Sequence, residues 1–453
     1  MLSWKTHVKL IGLLLLIALG GGLWYALSSD VAQQDIAELQ GKTPNLKDMR
    51  PQIVPTVKIA EIIGWQGSAA PKAAPGLSVK SFADKLDHPR WMTVLPNGDI
   101  LVAESTQPER PTSGLMDWLT RKLMLKANGS AKSANRITLL RDADKDGTAE
   151  YRSTLLSAAN GLNSPFGMAL MGDTLYIGNT NALLAFPFKV GQTSIAAMGE
   201  KIIDLPAGAP NNHWTRNVIA APNGKSLYVA VGSNSNIGEN GMESEKNRAN
   251  IFEVFPKDKK FRIFAAGMRN PVGLAINPIN NSLWATVNER DQLGSDGPPD
   301  YLTWVGEGTY FGWPSFYWSG YVDSRVVDPD MNMQQYSRRP DFALGSHTAS
   351  LGLAFSKGAK LGSAFTQGAF IGQHGSWNRS PPSGYKVIFV PFNERGYAEG
   401  KPIDVLTGFL TPDGKAQGRP AGVVVDSQGA LLVADDSGNR IWRVALSSGN
   451  PVK

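Results

Sequence analysis

Past residue 75 the chain shows no long stretch with apolar positions at helical spacing. Its apolar residues come instead in short runs cut by Pro, Asn and Gly. That pattern predicts many strands joined by tight turns. A degenerate unit recurs six times, as a polar or basic block, a strand, a turn and a second strand. The copies run 89–104, 164–177, 216–230, 269–285, 351–371 and 419–434. Each reads as the inner hairpin of a four-stranded blade, with outer strands such as 136–140 and 251–255 lying between copies. Residues 440–444 and 77–82 are placed to share the last blade and close the ring. The expected fold is therefore all-β, a six-bladed β-propeller of four-stranded antiparallel blades over residues 76–447. A two-sheet sandwich would not need six similar hairpins.

Residues 1–29 differ. Lys5 and Lys9 precede an uncharged apolar run, 10–27, long enough to span a bilayer's hydrocarbon core, with Trp24 and Tyr25 near its outer end. The run reads as a transmembrane anchor, with a cleaved signal peptide as the alternative, and either places the working domain outside the cytoplasmic membrane, on the periplasmic face. Residues 30–75, polar and rich in Pro and Ala, are expected as a stalk, with one short helix near 57–63.

Composition narrows the chemistry. The 453 residues include no cysteine, which excludes disulfides, thiolate metal sites and a covalently attached c-type haem. The net charge of +6 is spread along the chain, without a basic block fit for nucleic acid.

In a propeller, the residues before each inner strand and after its partner ring one mouth. The first ring contains His88, Arg90, Asn163, His213, Arg216, Arg269, Asn270, His347 and Arg419. The second contains Glu104, Asn179, Asn234, Asn288, Glu289, Arg290, Asp291, His374, Arg379, Asp435 and Asp436. Four of the five histidines fall here, which marks the mouth as a polar site. The arginines point to an anionic ligand and the histidines to a base near neutral pH.

Three motifs carry a family resemblance: 211–217 (Asn-Asn-His-Trp-Thr-Arg-Asn), 267–275 (Gly-Met-Arg-Asn-Pro-Val-Gly-Leu-Ala) and 310–314 (Tyr-Phe-Gly-Trp-Pro). Together they resemble the sorbosone dehydrogenase branch of the soluble, quinoprotein glucose dehydrogenase-like family, over residues 76–444. The resemblance implies pyrroloquinoline quinone (PQQ) on the channel mouth with a calcium ion (Ca2+) at its quinone oxygen. It further implies oxidation of a sugar or aldehyde, aldose or sorbosone-like, with electrons leaving to an external acceptor. By position His213 resembles the family's general base, and Asn212 stands where relatives carry an aspartate. Arg269 and Asn270 match the pair set against cofactor and quinone carbonyl. Asn163 falls next to an amide position, Arg419 matches a cofactor carboxylate ligand, and Arg379 is a looser match beside an apparent insertion, 380–382. The calcium of relatives takes two backbone carbonyls, which align here with Arg290 and Asp291.

Asp142, Asp144 and Asp146, followed by Gly147 and Glu150, open like a calcium loop without the Glu at position twelve, and form a candidate second calcium site. The competing functions are a calcium-dependent propeller hydrolase of the lactonase type, using Glu104, Asn288 and Asp435, and a non-enzymatic binding propeller. Loops 107–132 and 315–339 are expected to set the substrate.

Overall fold

The computed structural model describes residues 30–47, 49–52, 55–109 and 132–447, with isolated positions before residue 30. All six sequence repeats become inner hairpins. The innermost strands are Pro89–Val94, Met168–Met171, Val218–Ala220, Asn270–Ile276, Ser350–Phe355 and Pro420–Val425. Each begins an antiparallel blade of at least four strands, and the sixth blade takes its outermost strand, Leu77–Ala83, from the other end of the domain. The seam pairs Val79 with Val444, as the repeat pattern requires. A sandwich is thereby excluded.

The glycine shared by four of the repeats has a steric cause. A Cβ at Gly167 would lie 2.1 Å from the Val218 nitrogen, and one at Gly352 2.3 Å from the Ala421 carbonyl oxygen. Neighbouring inner strands thus approach through glycine, backbone against backbone, around the axis. Four of the six inner hairpins also carry a register shift at this end, between Pro89/Trp91, Pro271/Leu274, Ser350/Gly352 and Pro420/Val423. Such bulges bend a strand and re-aim its side chains, here at the mouth. Gly352→Ala is expected to cost about 3 kcal/mol, read as a lower urea midpoint, because the atoms it meets are backbone.

Residues 30–75 depart from the expected stalk. Those described form a strap docked across blades four, five and six. Gln40–Gly41 pairs with Ala343 and Leu344 as a fifth strand of the fourth blade, and Lys72–Ala73 with Leu406 and Thr407 on the fifth. The Asp30 carboxylate accepts from Ser295 N (2.6 Å), Ala32 N donates to Ser380 O (2.8 Å) and Lys58 N to Trp377 O (2.8 Å). Trp65 anchors the strap, buried edge-on against Trp442 and Phe409. The helix expected near 57–63 is absent, and a single 3₁₀ turn, Ile36–Leu39, occurs earlier. A segment that gains its order from sheet edges and backbone hydrogen bonds needs no apolar period, which is why its polar composition misleads.

The apolar run expected as anchor or signal lies largely outside the described residues. No helix among those described is long and apolar enough to cross a membrane.

Candidate functional site

A cavity of about 470 Å³ opens at the mouth between blades three, four and five. His213, Arg269, Asn270, Asp291 and His347 line it, joined by Asn288 and Glu289. The polar rings therefore do converge, but on one side of the axis.

His213 enters from the loop before the third inner strand. Its Nδ1 lies 2.9 Å from Ser233 O and 3.0 Å from Ser233 Oγ, and that hydroxyl donates to Ser235 O at 2.6 Å. A carbonyl can only accept, so Nδ1 carries the ring proton and Nε2 is left as the basic nitrogen. Burial and then the Arg269 charge push its pKa down to about 3, so the ring is neutral at physiological pH. Gly232 brings this histidine close to Asn270: a Cβ there would lie 2.5 Å from both His213 Cβ and Asn270 Oδ1. The loop itself is clasped by Arg216, whose guanidinium donates to the carbonyls of Pro206, His213 and Thr215 and to Asn211 Oδ1.

Arg269 donates to Glu289 O (2.6 Å), Asn236 Oδ1 (2.8 Å) and Asp291 Oδ2 (2.8 Å). Burial raises the Asp291 pKa, but Arg269 and His347 outweigh it and hold the carboxyl below its usual value. The Asn270 amide is underused. Its Nδ2 makes only a 3.5 Å contact with Asn288 Oδ1, and its buried Oδ1 has no partner among the described residues. An unsatisfied buried amide against a cavity marks where a polar ligand completes the hydrogen bonding.

Several expected ligands stand elsewhere. Arg379 spends its guanidinium on Ser295 O and Pro381 O, and Arg419 on the carbonyls of His374 and Gly375, above the Tyr385 ring. Asn163 contacts Asn181 at 3.4 Å. None of the three lines the cavity. The physical reason is shared by the arginines: loops with many free carbonyls recruit the planar fork as a clasp. The Arg290–Asp291 carbonyl pair is not an open cation site either. Asp291 O accepts from Arg325 Nη1 (2.8 Å) and Asn236 Nδ2 (3.1 Å), and the Arg290 side chain is fully buried behind it, donating to Phe316 O. A guanidinium on that carbonyl opposes a cation there.

Most of the arginines named for the mouth stand outside the cavity. Arg269 is the single guanidinium among the described cavity walls, against the carboxylates of Glu239, Glu289, Asp291 and Asp300. Burial, opposed by bonds from Glu289 N, Ser350 N and Thr348 Oγ1, raises the Asp300 pKa to about 6.

A second polar knot sits where blades one, five and six meet. Asp436 accepts from Arg90 and from His374 Nε2 (2.7 Å), with His88 Nε2 at 3.8 Å. Arg90 lies 5.8 Å from the Trp214 ring, next to His213, and its buried Nε has no partner among the described residues. Sequence reading named these residues but not their pairing.

Two of the three proposed hydrolase ligands, Glu104 and Asp435, are committed to the scaffold, while Asn288 lines the cavity. Glu104 binds Arg136 through both oxygens (3.0 and 2.6 Å) and also Thr138. Asp435 accepts four N–H groups, and Asn288 Nδ2 donates to Ser350 O. Among the described residues the one group of three or more metal-capable side chains within mutual reach is Asp142, Asp144, Asp146 and Glu150, on the first blade's outer loop.

Fold and walls thus define a class: a six-bladed propeller whose polar mouth brings His213, its Nε2 unprotonated, and Arg269 into a shared cavity. The chain matches the family described as TrAA12-like over residues 121–299 and 321–447, more than half its length, and belongs to that family. A relative from Borreliella burgdorferi, an uncharacterised protein, is 31% identical over 249 residues, covering 53% of this chain and 62% of its own. A pyrroloquinoline quinone-dependent pyranose dehydrogenase of Coprinopsis cinerea is 27% identical over 296 residues, 52% of this chain and 40% of its own. The match spans less than two thirds of either relative. The PQQ domain of a pyranose dehydrogenase from Coprinopsis cinerea superposes with a TM-score of 0.64 at 18% identity, over 86% of this chain and 100% of its own. The Trichoderma reesei enzyme of carbohydrate-active family AA12 gives 0.66 at 19%, over 83% and 98%. At these identities the superpositions establish the fold.

Proposed function

We propose that the chain is a PQQ-dependent dehydrogenase that oxidises a sugar or an aldehyde of the aldose or sorbosone type. One observation carries the reading: a neutral histidine with a free Nε2 shares a cavity with Arg269 and an Asn270 amide that has bonding capacity to spare. The quinoprotein relatives support it. The residues fit a flat polar cofactor. Asn270 and Arg269 would hold one part of it. Its tricarboxylate charge meets acidic walls, so a divalent cation belongs with it. We propose calcium as that cation, an ion that takes oxygen ligands.

When bound, the quinone supplies a two-electron acceptor for hydride. His213 Nε2 takes the proton of the reacting hydroxyl, which is a sugar's anomeric hydroxyl or a hydroxyl of the hydrated aldehyde, and Ser233 keeps its ring in the required tautomer. Electrons then pass to an external acceptor. Trp377 and Gln107 line the same cavity and would meet the substrate's ring. We further propose that the first-blade Asp loop holds a structural calcium and that the domain works on the periplasmic face, tethered by residues 10–27.

The test is dye reduction by the purified protein with aldoses, sorbosone and simple aldehydes, with and without PQQ and calcium. Turnover that requires both additions is expected. Absence of turnover together with no thermal shift on adding the quinone would overturn the reading.

A further inference from the structure

We infer that the cavity mouth faces the lipid bilayer, with the rim of blades four and five resting on the membrane surface. The strap dictates this. Asp30 is fixed at the rim through its carboxylate to Ser295 N (2.6 Å) and its carbonyl to Ser295 Oγ (3.0 Å), and Gln33 N donates to Asp296 Oδ2 at 2.7 Å. The uncharged apolar run ends at Leu27. Three residue steps, at most about 11 Å of extended chain, therefore separate the membrane-length segment from the cavity rim. A tether that short leaves the domain little freedom to turn another face toward the lipid.

The surface around the tether has the matching chemistry. Val31 is 49% exposed and sits between Asp30 and Ala32, both bound to the rim. Val57 is 39% exposed, between Thr56, which accepts from Asn378 Nδ2, and Lys58, which donates to Trp377 O. Val327 is 86% exposed, two residues from Arg325, which clasps the carbonyls of Asp291 and Gln292. Three β-branched apolar side chains thus stand in solvent, two on the strap and one on the loop after Asp323, each beside a residue that grips the rim loops. Single exposed valines are ordinary; their grouping around the exit of a membrane-length run points to a lipid interface.

The absence of native cysteine makes the test direct. The full chain is reconstituted into phosphatidylcholine–phosphatidylglycerol vesicles carrying nitroxide-headgroup lipid, with one fluorophore at Val57→Cys or Val327→Cys. Ile279→Cys, 41% exposed in the turn at the opposite end of the fourth inner hairpin, is the control. Lipid quenching at the two rim sites is expected to exceed that at Ile279 by about threefold or more, over the depth an interfacial contact allows. Equal quenching at all three sites would overturn the orientation. So would rim labels already shielded in lipid-free detergent by a second copy of the chain, or recovery of protein whose chain starts after Leu27. The readout involves no turnover, so its failure and that of the dehydrogenase reading are separable.

Discussion

His213→Ala is expected to lower kcat/KM in quinone-dependent dye reduction by about 10²–10⁴-fold, the usual contribution of a positioned base. Quinone binding should persist, since Arg269 and Asn270 remain. The pH profile adds a sign. The ring's pKa is pushed down to about 3, so the basic form is present above that value. In the wild type kcat/KM should hold from pH 7 down to about 5, where an unshifted imidazole, with its pKa near 6.5, would already be protonated. The same shift acts on stability. Between pH 6.5 and about 3 only the unfolded chain takes this proton, so its contribution is present above 6.5 and lost as pH falls. Ser233→Ala would remove a hydroxyl at Nδ1 but keep the carbonyl, and a modest loss there would confirm that the carbonyl sets the tautomer. An acid limb near 6.5, or a His213→Ala variant of full activity, would remove this residue from the mechanism.

The largest stability effect is expected at Asp435. Its Oδ2 accepts from the indoles of Trp65 (2.6 Å) and Trp442 (3.0 Å), and its Oδ1 from the backbone nitrogens of Arg419 and Gly438, both at 2.8 Å. All four lone-pair directions are taken by donors, and no cation is among them. An amide has one acceptor and one donor end, so Asp435→Asn turns two of these bonds into N–H facing N–H. The cost should be about 3 kcal/mol or more, seen as a lower urea midpoint with unchanged slope. Burial raises this carboxyl to about 6 against the pull of its donors. For an acid so shifted, the folded state holds the proton more tightly. The stabilisation is thus full below the ordinary value of 3.8 and is lost as pH rises through about 6. An unchanged midpoint in the asparagine variant would show that the strap's tryptophan is not anchored by this carboxylate.

The propeller was legible because its repeat is steric. A glycine at the closest approach of inner strands leaves the same mark in four copies, at Gly167, Gly273, Gly352 and Gly422. The pairing of residues 440–444 with 77–82 was legible too, since both are strands left over after six hairpins. The site was legible only as a set. His213, Arg269 and Asn270 reach one cavity, but Arg379 and Arg419 turn to backbone carbonyls, and sequence does not say whether a guanidinium faces ligand or loop. Asp291 was named for its carbonyl, whereas its carboxylate is what meets Arg269. Ser233 and Gly232 carried no signal beyond following the strand Leu227–Val231. The strap was hidden for another reason: its order comes from partners about 265 residues away, as between Asp30 and Ser295.

The seam between Val79 and Val444 has a consequence for how the molecule comes into being. The ring closes through the most distant pairing in the domain, so relative contact order is high and closure is a late event. The outermost strand of the sixth blade, Leu77–Ala83, lacks its partner until Arg440–Leu446 has left the ribosome. Throughout synthesis the strand Leu77–Ala83 is an unsatisfied edge, open to wrong pairing. A truncation removing only the final strand should therefore behave as a failure of the whole ring rather than of one blade.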